Sequence, residues 1–477
     1  MLNEFQRRAV ERSLRAEKVF LIHGPPGTGK TTTLVASIEA HVREGFKVLA
    51  CADSNTAVDN LLERLLEKGI RAVRIGNPVR VQEKLRKHSL EEVLRSDPAF
   101  DEVLELYRKI EDLKEERERF VRPAPKYRRG MTDEEILMYA EKGVPVRGVS
   151  PRILKGMAGW IRVSSRIREL YEKAKSLEFE LIKRVLNSAE VVCGTNSSAG
   201  GEYLKDISFD VVFIDEATQS TEPSCLIPLV KGKKLIMAGD HRQLPPTVIS
   251  TEAKELAYTL FERLMDLCGD RVSEMLRIQY RMNERIMRFS SETFYGGLLM
   301  ADEKVKSHTI ADLGFDLSEV EDSLRDILSP ENVVVFVAVK GAEHQRSGST
   351  SYMNEGEAEV VVRLVENLIR GGLNKNHIGV ISPYEDQVDL ISRMVPVEVK
   401  TVDGFQGREK EVIIVSFVRS NPRGDIGFLR DYRRLNVALT RAKRKLIAVG
   451  DPETLSSDPV YRSFIEYVKG NGFFKEL

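Results

Sequence analysis

Two short stretches of this 477-residue sequence carry the residue types and spacing needed to handle a polyphosphate. In HGPPGTGKTTT, Gly24, Gly29, Lys30 and Thr31 satisfy the pattern G-x-x-x-x-G-K-[ST]. Glycines let backbone N–H groups converge on phosphate oxygens, where a Cβ would block the approach. The helical pattern that follows turns its positive end toward the same place. Lys30 is expected to reach the β and γ phosphates of ATP, and Thr31 to hold Mg2+ through its hydroxyl. Pro25, Gly27, Thr28 and Thr32 complete the expected contacts of the loop. The second stretch, VVFIDEATQ, carries Asp215 to the C-terminal end of a strand with Glu216 beside it. Asp215 suits Mg2+ coordination, directly or through water, and Glu216 suits polarising an attacking water. Adjacent acids after a strand are also common as helix caps; the glycine-rich loop far upstream gives this pair its meaning. A small-molecule kinase could share both features.

Elements able to position these residues are legible as short apolar runs alternating with amphipathic helical stretches. In the first part they are VFLIH (19–23), KVLAC (47–51), AVRIG (72–76), EVVCGT (190–195), VVFID (211–215) and KLIMAGD (234–240). In the last part they are NVVVFVAV (332–339), HIGVIS (377–382), EVIIVSFV (411–418) and KLIAVGD (445–451). The runs are nearly all apolar rather than alternating, as expected of parallel strands covered by helices on both faces. Two such sets predict an α/β protein with two doubly wound parallel-sheet domains, over 1–270 and 271–477.

Residues 79–188 break the pattern. VQEKLRKHSLEEVL, FDEVLELYRKIEDLKEERERF and SSRIRELYEKAKSLEFELIKRVL read as charged helices around a Pro-containing segment, VRPAPKYRRG. A helical insertion, as a hairpin stalk within the first domain, is expected. From Arg117 to Arg168 there are 13 Lys/Arg and 5 Asp/Glu, a local net charge of +8. Such a stretch could grip a phosphate backbone or could simply be solvated helix surface.

Composition narrows the function classes. Lys plus Arg and Asp plus Glu are both 73, so attraction to a polyanion must be local. No apolar run approaches the roughly 18 residues that span a bilayer, and MLNEFQRRAVERSL lacks a signal-peptide core. Cys51, Cys193, Cys225 and Cys268 form no CxxC, which argues against a zinc module, an iron–sulfur site or a disulfide scaffold. A reducing compartment, the cytoplasm, is expected.

Further motifs follow in order: GDHRQLPP (239–246), QYRM (279–282), TVDGFQGREKEVIIVS (401–416) and RRLNVALTRAK (433–443). With GPPGTGKT and DEATQ, the chain resembles superfamily 1 helicases over both α/β domains. The wording DEATQ and FQGREKEVIIVS is similar to the B branch, that of the nonsense-mediated-decay helicase and the immunoglobulin mu-binding-protein helicase. The resemblance implies RecA-like domains with ATP between them. It implies that Gln6 reads the adenine edge, that Tyr280 stacks on the base and that Glu357 and Gly407 lie near the nucleotide. Gln243 would sense the γ-phosphate. Arg281 and Arg441 would act as arginine fingers, worth about 10³–10⁵ in rate. Ser54, Asn55, Thr195, Ser382, Tyr384 and Thr401 would contact the nucleic-acid backbone, where small hydroxyls and amides carry no sequence information. The branch implies 5′-to-3′ movement. Related helicases carry a small β-barrel and stalk ahead of the glutamine motif; with Gln6 so near the start, that module is expected to be absent, partly replaced by 79–188, or lost from a core fragment.

Two readings therefore stand beside the kinase. One is a nucleic-acid-dependent ATPase that translocates on single-stranded DNA or RNA and opens duplex junctions. The other is an ATP-gated scaffold or remodelling ATPase that clamps single strands with little unwinding. A full set of Lys30, Asp215, Glu216, Gln243 and Arg441 favours turnover.

Overall fold

A computed structural model describes residues 2–477. It is an α/β protein whose strands, in chain order, are β1 Val19–His23, β2 Val48–Ala52, β3 Ala72–Arg74, β4 Val191–Thr195, β5 Phe209–Asp215, β6 Gly232–Gly239, β7 Ser273–Met275, β8 Ile278–Gln279, β9 Met300–Ala301, β10 Val334–Ala338, β11 His344–Gln345, β12 Tyr352–Met353, β13 Ile378–Ser382, β14 Glu398–Thr401, β15 Lys410–Ser416, β16 Ala442–Gly450 and β17 Phe473–Glu476. The chain divides into two compact units, one of Met1–Glu44 with Val211–Leu477 and one of Gly45–Asp210.

The larger unit holds strands in the order β5-β6-β1-β7 and a separate six-stranded sheet, β14-β13-β15-β16-β10-β17. The pairings of β1 with β6 and β7, and those throughout the six-stranded sheet, are parallel. Alternate residues of this second sheet enter two different cores. Phe336, Ile381, Ile413, Val415 and Leu446 join one with Ile286, Phe289 and Phe464. Val335, Val337, Val380, Ile414 and Ile447 join the other with Val361, Leu364 and Leu368. Helices Glu284–Phe294 and Pro459–Asn471 therefore cover one face, and Glu355–Arg370 the other. Both faces being dry is why the strands read as unbroken apolar runs.

The smaller unit contains β3-β4-β2, paired in parallel, and the insertion. Helix Phe100–Arg117 runs antiparallel to the 38-residue helix Pro151–Ser188. Arg184 bonds Asp97, Tyr107 donates to Glu178 at 2.9 Å, and the Arg117 guanidinium lies 5.2 Å from the Trp160 ring. Between the long helices, short helices Pro125–Arg128 and Asp133–Lys142 build a small core of their own on Ile136, Leu154, Met157 and Ile161. The expected hairpin stalk thus carries a miniature lobe at its tip.

Strands β7, β14 and β17 were not expected. Each is a sheet edge, short and interrupted by charge (SEM, EVKT, FFKE), so an apolar-run criterion passes over it. Cys51, Cys193 and Cys225 are buried, and Cys268 is partly exposed. Among the described residues, no helix is long and apolar enough to cross a membrane.

Candidate active site

The glycine-rich loop leaves the C-terminal end of β1 and enters helix Lys30–Arg43. Its neighbours at that edge are the ends of β5 and β6, a usual place for ligands in parallel sheets. Gly24 N–H donates to Gly239 O at 3.0 Å, and Thr28 Oγ1 donates to Pro25 O at 2.7 Å. Gly27 has φ +74°, and a Cβ there would fall 2.7 Å from Arg281 Cβ. Gly29 has φ +76° and a Cβ would fall 2.8 Å from Gln6 Nε2. Both positions combine a left-handed backbone with a crowded neighbour, so no other residue fits without strain. Thr32 is exposed on the first turn of the helix.

Gln6 is buried and holds the loop. Its Nε2 donates to Thr28 O at 3.0 Å, and its Oε1 accepts from Asn3 N at 3.0 Å within a capping box. Each amide atom keeps one further hydrogen-bonding capacity, which a base edge could use. Tyr280 is 42% exposed, its N–H donates to Gly27 O at 2.8 Å, and its hydroxyl accepts from Asn3 Nδ2 at 2.9 Å.

Lys30 Nζ donates to Glu216 Oε2 at 2.6 Å, and Thr31 Oγ1 donates to Asp215 Oδ2 at 3.2 Å. Burial alone would lower the Lys30 pKa, but the charges of Glu216 and Asp215 together hold it above its ordinary value. Burial, reinforced by the Glu216 charge, pushes the Asp215 carboxyl up to about 6. A hydroxyl and a carboxylate this close, with excess negative charge around them, form an oxygen donor set of the kind a hard divalent cation takes. Glu216 has φ +50°, a left-handed conformation for a non-glycine residue, and also accepts from Gln219 Nε2 at 2.8 Å.

The remaining basic groups are Arg281, in the turn between β8 and helix Glu284–Phe294, and Arg441, directly before β16. Arg281 Nε donates to Glu409, and its Nη1 donates to Thr440 O at 3.1 Å. Arg441 is 2% exposed; its Nη2 donates to Gln243 Oε1 at 2.8 Å and its Nε to Val437 O at 3.0 Å. Both of these partners are neutral. Burial first, then the like charge of Arg281, draw the Arg441 pKa down to about 9. A guanidinium does not deprotonate there, so the direction records a cation held where an anion would be welcome.

Sequence reasoning passed over the hub of this arrangement. Asp240, inside GDHRQLPP, accepts from Gln243 Nε2 at 2.7 Å and from Tyr295 OH at 2.8 Å, and lies 3.1 Å from His23 Nε2. Burial opposes its ionisation, yet hydrogen bonds from His23, Gln243 and Tyr295 hold it well below the usual carboxylate range. Asn436 Nδ2 donates to Tyr295 OH at 2.8 Å and to Arg242 O at 2.8 Å. Glu409 was also missed, although it follows Gly407 by two positions; it pairs with Arg281 and with Lys443 at 3.0 Å. The available signal was an acid between two motif arginines, which only a fold could connect.

Glu357 does not join this constellation. It is fully buried, accepting from Ser416 Oγ at 2.7 Å and Val418 N at 2.9 Å. Burial raises its pKa to about 8. As the chain stands, its carboxylate is enclosed by these partners rather than open to a ligand. Gly407 is exposed with φ +74° and open space around it.

The expected nucleic-acid residues divide. Ser54 is exposed and its Oγ caps helix Asn55–Glu67 by accepting from Ala57 N at 3.1 Å. Asn55 Oδ1 accepts from Arg74 Nη2 at 2.8 Å. Thr195 Oγ1 accepts from Ser198 N at 3.2 Å, and Thr401 Oγ1 from Gly404 N at 3.2 Å. Ser382 is fully buried, its Oγ accepting from Tyr384 N at 3.4 Å, and the Tyr384 ring packs edge-on against Tyr352. Burial removes Ser382 and Tyr384 from any surface a strand could touch as the chain stands, which corrects that expectation.

Models of the AAA domain match residues 1–251 and 256–453. A protein of Methanocaldococcus jannaschii named as an uncharacterized ATP-dependent helicase is 45% identical over 98% of this chain and 70% of its own length. The chain belongs to the superfamily 1 helicases. DNA-binding protein SMUBP-2 of Mesocricetus auratus is 36% identical over 99% of this helicase but 45% of its own length. Regulator of nonsense transcripts 1 of Dictyostelium discoideum is 34% identical over the whole helicase and 32% of its own length. The helicase therefore lies on the branch these relatives define, and spans less than half the length of these last two.

Proposed function

We propose that this chain is an ATP-driven motor that translocates 5′-to-3′ on single-stranded DNA or RNA and opens duplex junctions. The observation that carries the reading is the pairing of two charge states around one loop. Lys30 donates to Glu216, while Arg441 is buried against neutral hydrogen-bond partners. A triphosphate resolves both. Its oxygens replace the Glu216 carboxylate on Lys30, and its γ-phosphate supplies the anion that Arg441 lacks. Glu216, released, orients the attacking water; Arg281 and Arg441 offset charge that develops on the transferred group. Thr31 and Asp215 would hold Mg2+, which neutralises the phosphates when bound. Gln6 and Tyr280 would position the base.

Lobes spanning 1–270 and 271–477 would close on ATP and open after hydrolysis. Gln243 is suited to couple the two events. It holds Arg441 with one amide atom and Asp240 with the other. When the γ-phosphate leaves, Arg441 returns to Gln243, and the change reaches Tyr295 and Asn436 through Asp240. Ser54, Asn55, Thr195 and Thr401 remain as candidate backbone contacts.

The test is ATP turnover with single-stranded DNA and single-stranded RNA in parallel, then strand displacement on duplexes tailed at either end. Stimulation by at least one polymer, loss of turnover in Lys30→Ala and displacement from a 5′ tail are expected. Turnover indifferent to both polymers would reject the motor and favour a small-molecule kinase. Stimulated turnover without displacement would favour the scaffold. Wild-type turnover in Lys30→Ala would reject the phosphate site itself.

A further inference from the structure

We infer that the miniature lobe of the insertion carries a docking face for the phosphate backbone of double-stranded nucleic acid, a second grip separate from the single-strand contacts. The inference rests on the nucleic-acid reading above and extends it. Of the 13 Lys/Arg between Arg117 and Arg168, four have a carboxylate partner: Arg117 with Glu118, Arg128 with Asp133, Arg147 with Glu135 and Arg162 with Glu141. These pairs consume every acid of the segment but Glu134, so nine cations remain without a carboxylate.

Their placement is not diffuse. On helix Pro151–Ser188, Arg152, Lys155, Arg162 and Arg166 are all exposed. At 3.6 residues per turn they fall within about 80° of one another and extend over about 21 Å. Gly156 and Gly159 share that side of the helix. A Cβ at Gly156 would fall 2.7 Å from Val121 Cγ2, and one at Gly159 would fall 2.3 Å from Phe120 Cδ1. The two glycines therefore let the chain at 120–121 lie directly on the basic stripe. That contact brings exposed Arg119 and Arg122, neither paired with a carboxylate, alongside it. Two chain segments thus converge on one cationic face, held by the lobe's own core.

The kind of polymer follows from what the face lacks. Grooves for single strands combine positive charge with exposed rings on which bases stack. In this lobe Phe120, Tyr127, Tyr139 and Trp160 are all partly buried, and the last three pack against its core. Fixed cations without stacking rings suit a duplex, whose bases are already stacked and whose phosphates face outward.

The test replaces Arg119, Arg122, Arg152 and Lys155 together by Gln in the full chain. Binding of a short blunt DNA duplex and a short blunt RNA duplex is measured across a salt series. Loss of about four phosphate contacts should lower the slope of log affinity against log salt by about 3–4. Affinity at low salt should fall at least about tenfold, while turnover at saturating single strand stays at the wild-type level. A control variant, Lys109→Gln with Lys114→Gln, removes exposed cations of the stalk that already have acid partners and should change little. Unchanged duplex affinity and slope in the quadruple variant, with its thermal unfolding intact, would overturn the inference. So would an equal loss in the control, or a wild-type slope near zero, which would point to an acidic protein as the occupant. Failure of the motor reading would show instead as absent single-strand stimulation in the wild-type chain.

Discussion

Replacing Arg441 by Met separates what this residue does for catalysis from what it costs the resting fold. Met keeps much of the volume and removes the charge. Arg441 is 2% exposed and its hydrogen-bond acceptors are Gln243 Oε1 and Val437 O. Losing the guanidinium leaves Gln243 Oε1 without its donor, a cost of about 1–3 kcal/mol for a buried acceptor. Val437 O keeps a weaker bond from Thr440 Oγ1 at 3.3 Å, and Gln243 keeps its Nε2 bond to Asp240. Against that cost stands relief from burying a cation with no carboxylate partner, worth several kcal/mol. The nucleotide-free variant should therefore be as stable as wild type or more so, in urea unfolding followed by circular dichroism. Hydrolysis at saturating ATP and single strand should fall by about 10³–10⁵. A destabilisation above about 3 kcal/mol, the signature of a broken buried ion pair, would show that the resting site is already electrostatically complete. Retained hydrolysis would place the stabilising cation elsewhere.

Two further predictions use buried charges outside the loop. Glu357 has its pKa raised from 4.5 to about 8 by burial, so the folded chain holds a proton that the unfolded chain has released. Its contribution is fully present below pH 4.5 and is lost as pH rises toward 8. Glu357→Gln should match wild type in urea unfolding near the acid end and exceed it at the alkaline end; parallel curves across that window would contradict the assignment. Arg74, 1% exposed, donates to Asp59 at 3.1 Å, and Asp59 also accepts from Gln82 N at 2.9 Å. Arg74→Met strands the Asp59 carboxylate and should cost about 3–5 kcal/mol, read as a lower urea midpoint; a loss below about 1 kcal/mol would mean water reaches Asp59.

The class of fold and the placement of the loop residues are legible in residue order. Lys30, Thr31, Asp215 and Glu216 sit where spacing and strand ends put them, because a glycine-rich turn and a strand terminus are local features. The apolar runs marked the interior strands, since burial on both faces leaves no room for polar residues. The edge strands β7, β14 and β17 escaped because a solvent-facing margin lets charge back in, whereas the edge strand β3 kept an apolar run and was legible. Tertiary structure alone decided which side chains meet across long intervals. Asp240 gathers His23, Gln243 and Tyr295, and Glu409 takes Arg281, through contacts between residues far apart in sequence. It also withdrew Glu357, on the first turn of a helix, and Ser382 and Tyr384, at and just past the end of β13, from the surface, because whether a polar residue faces solvent depends on what packs over it. Residue order states what each group can do, but whether a charge has a partner depends on distance, and only the folded chain sets distances.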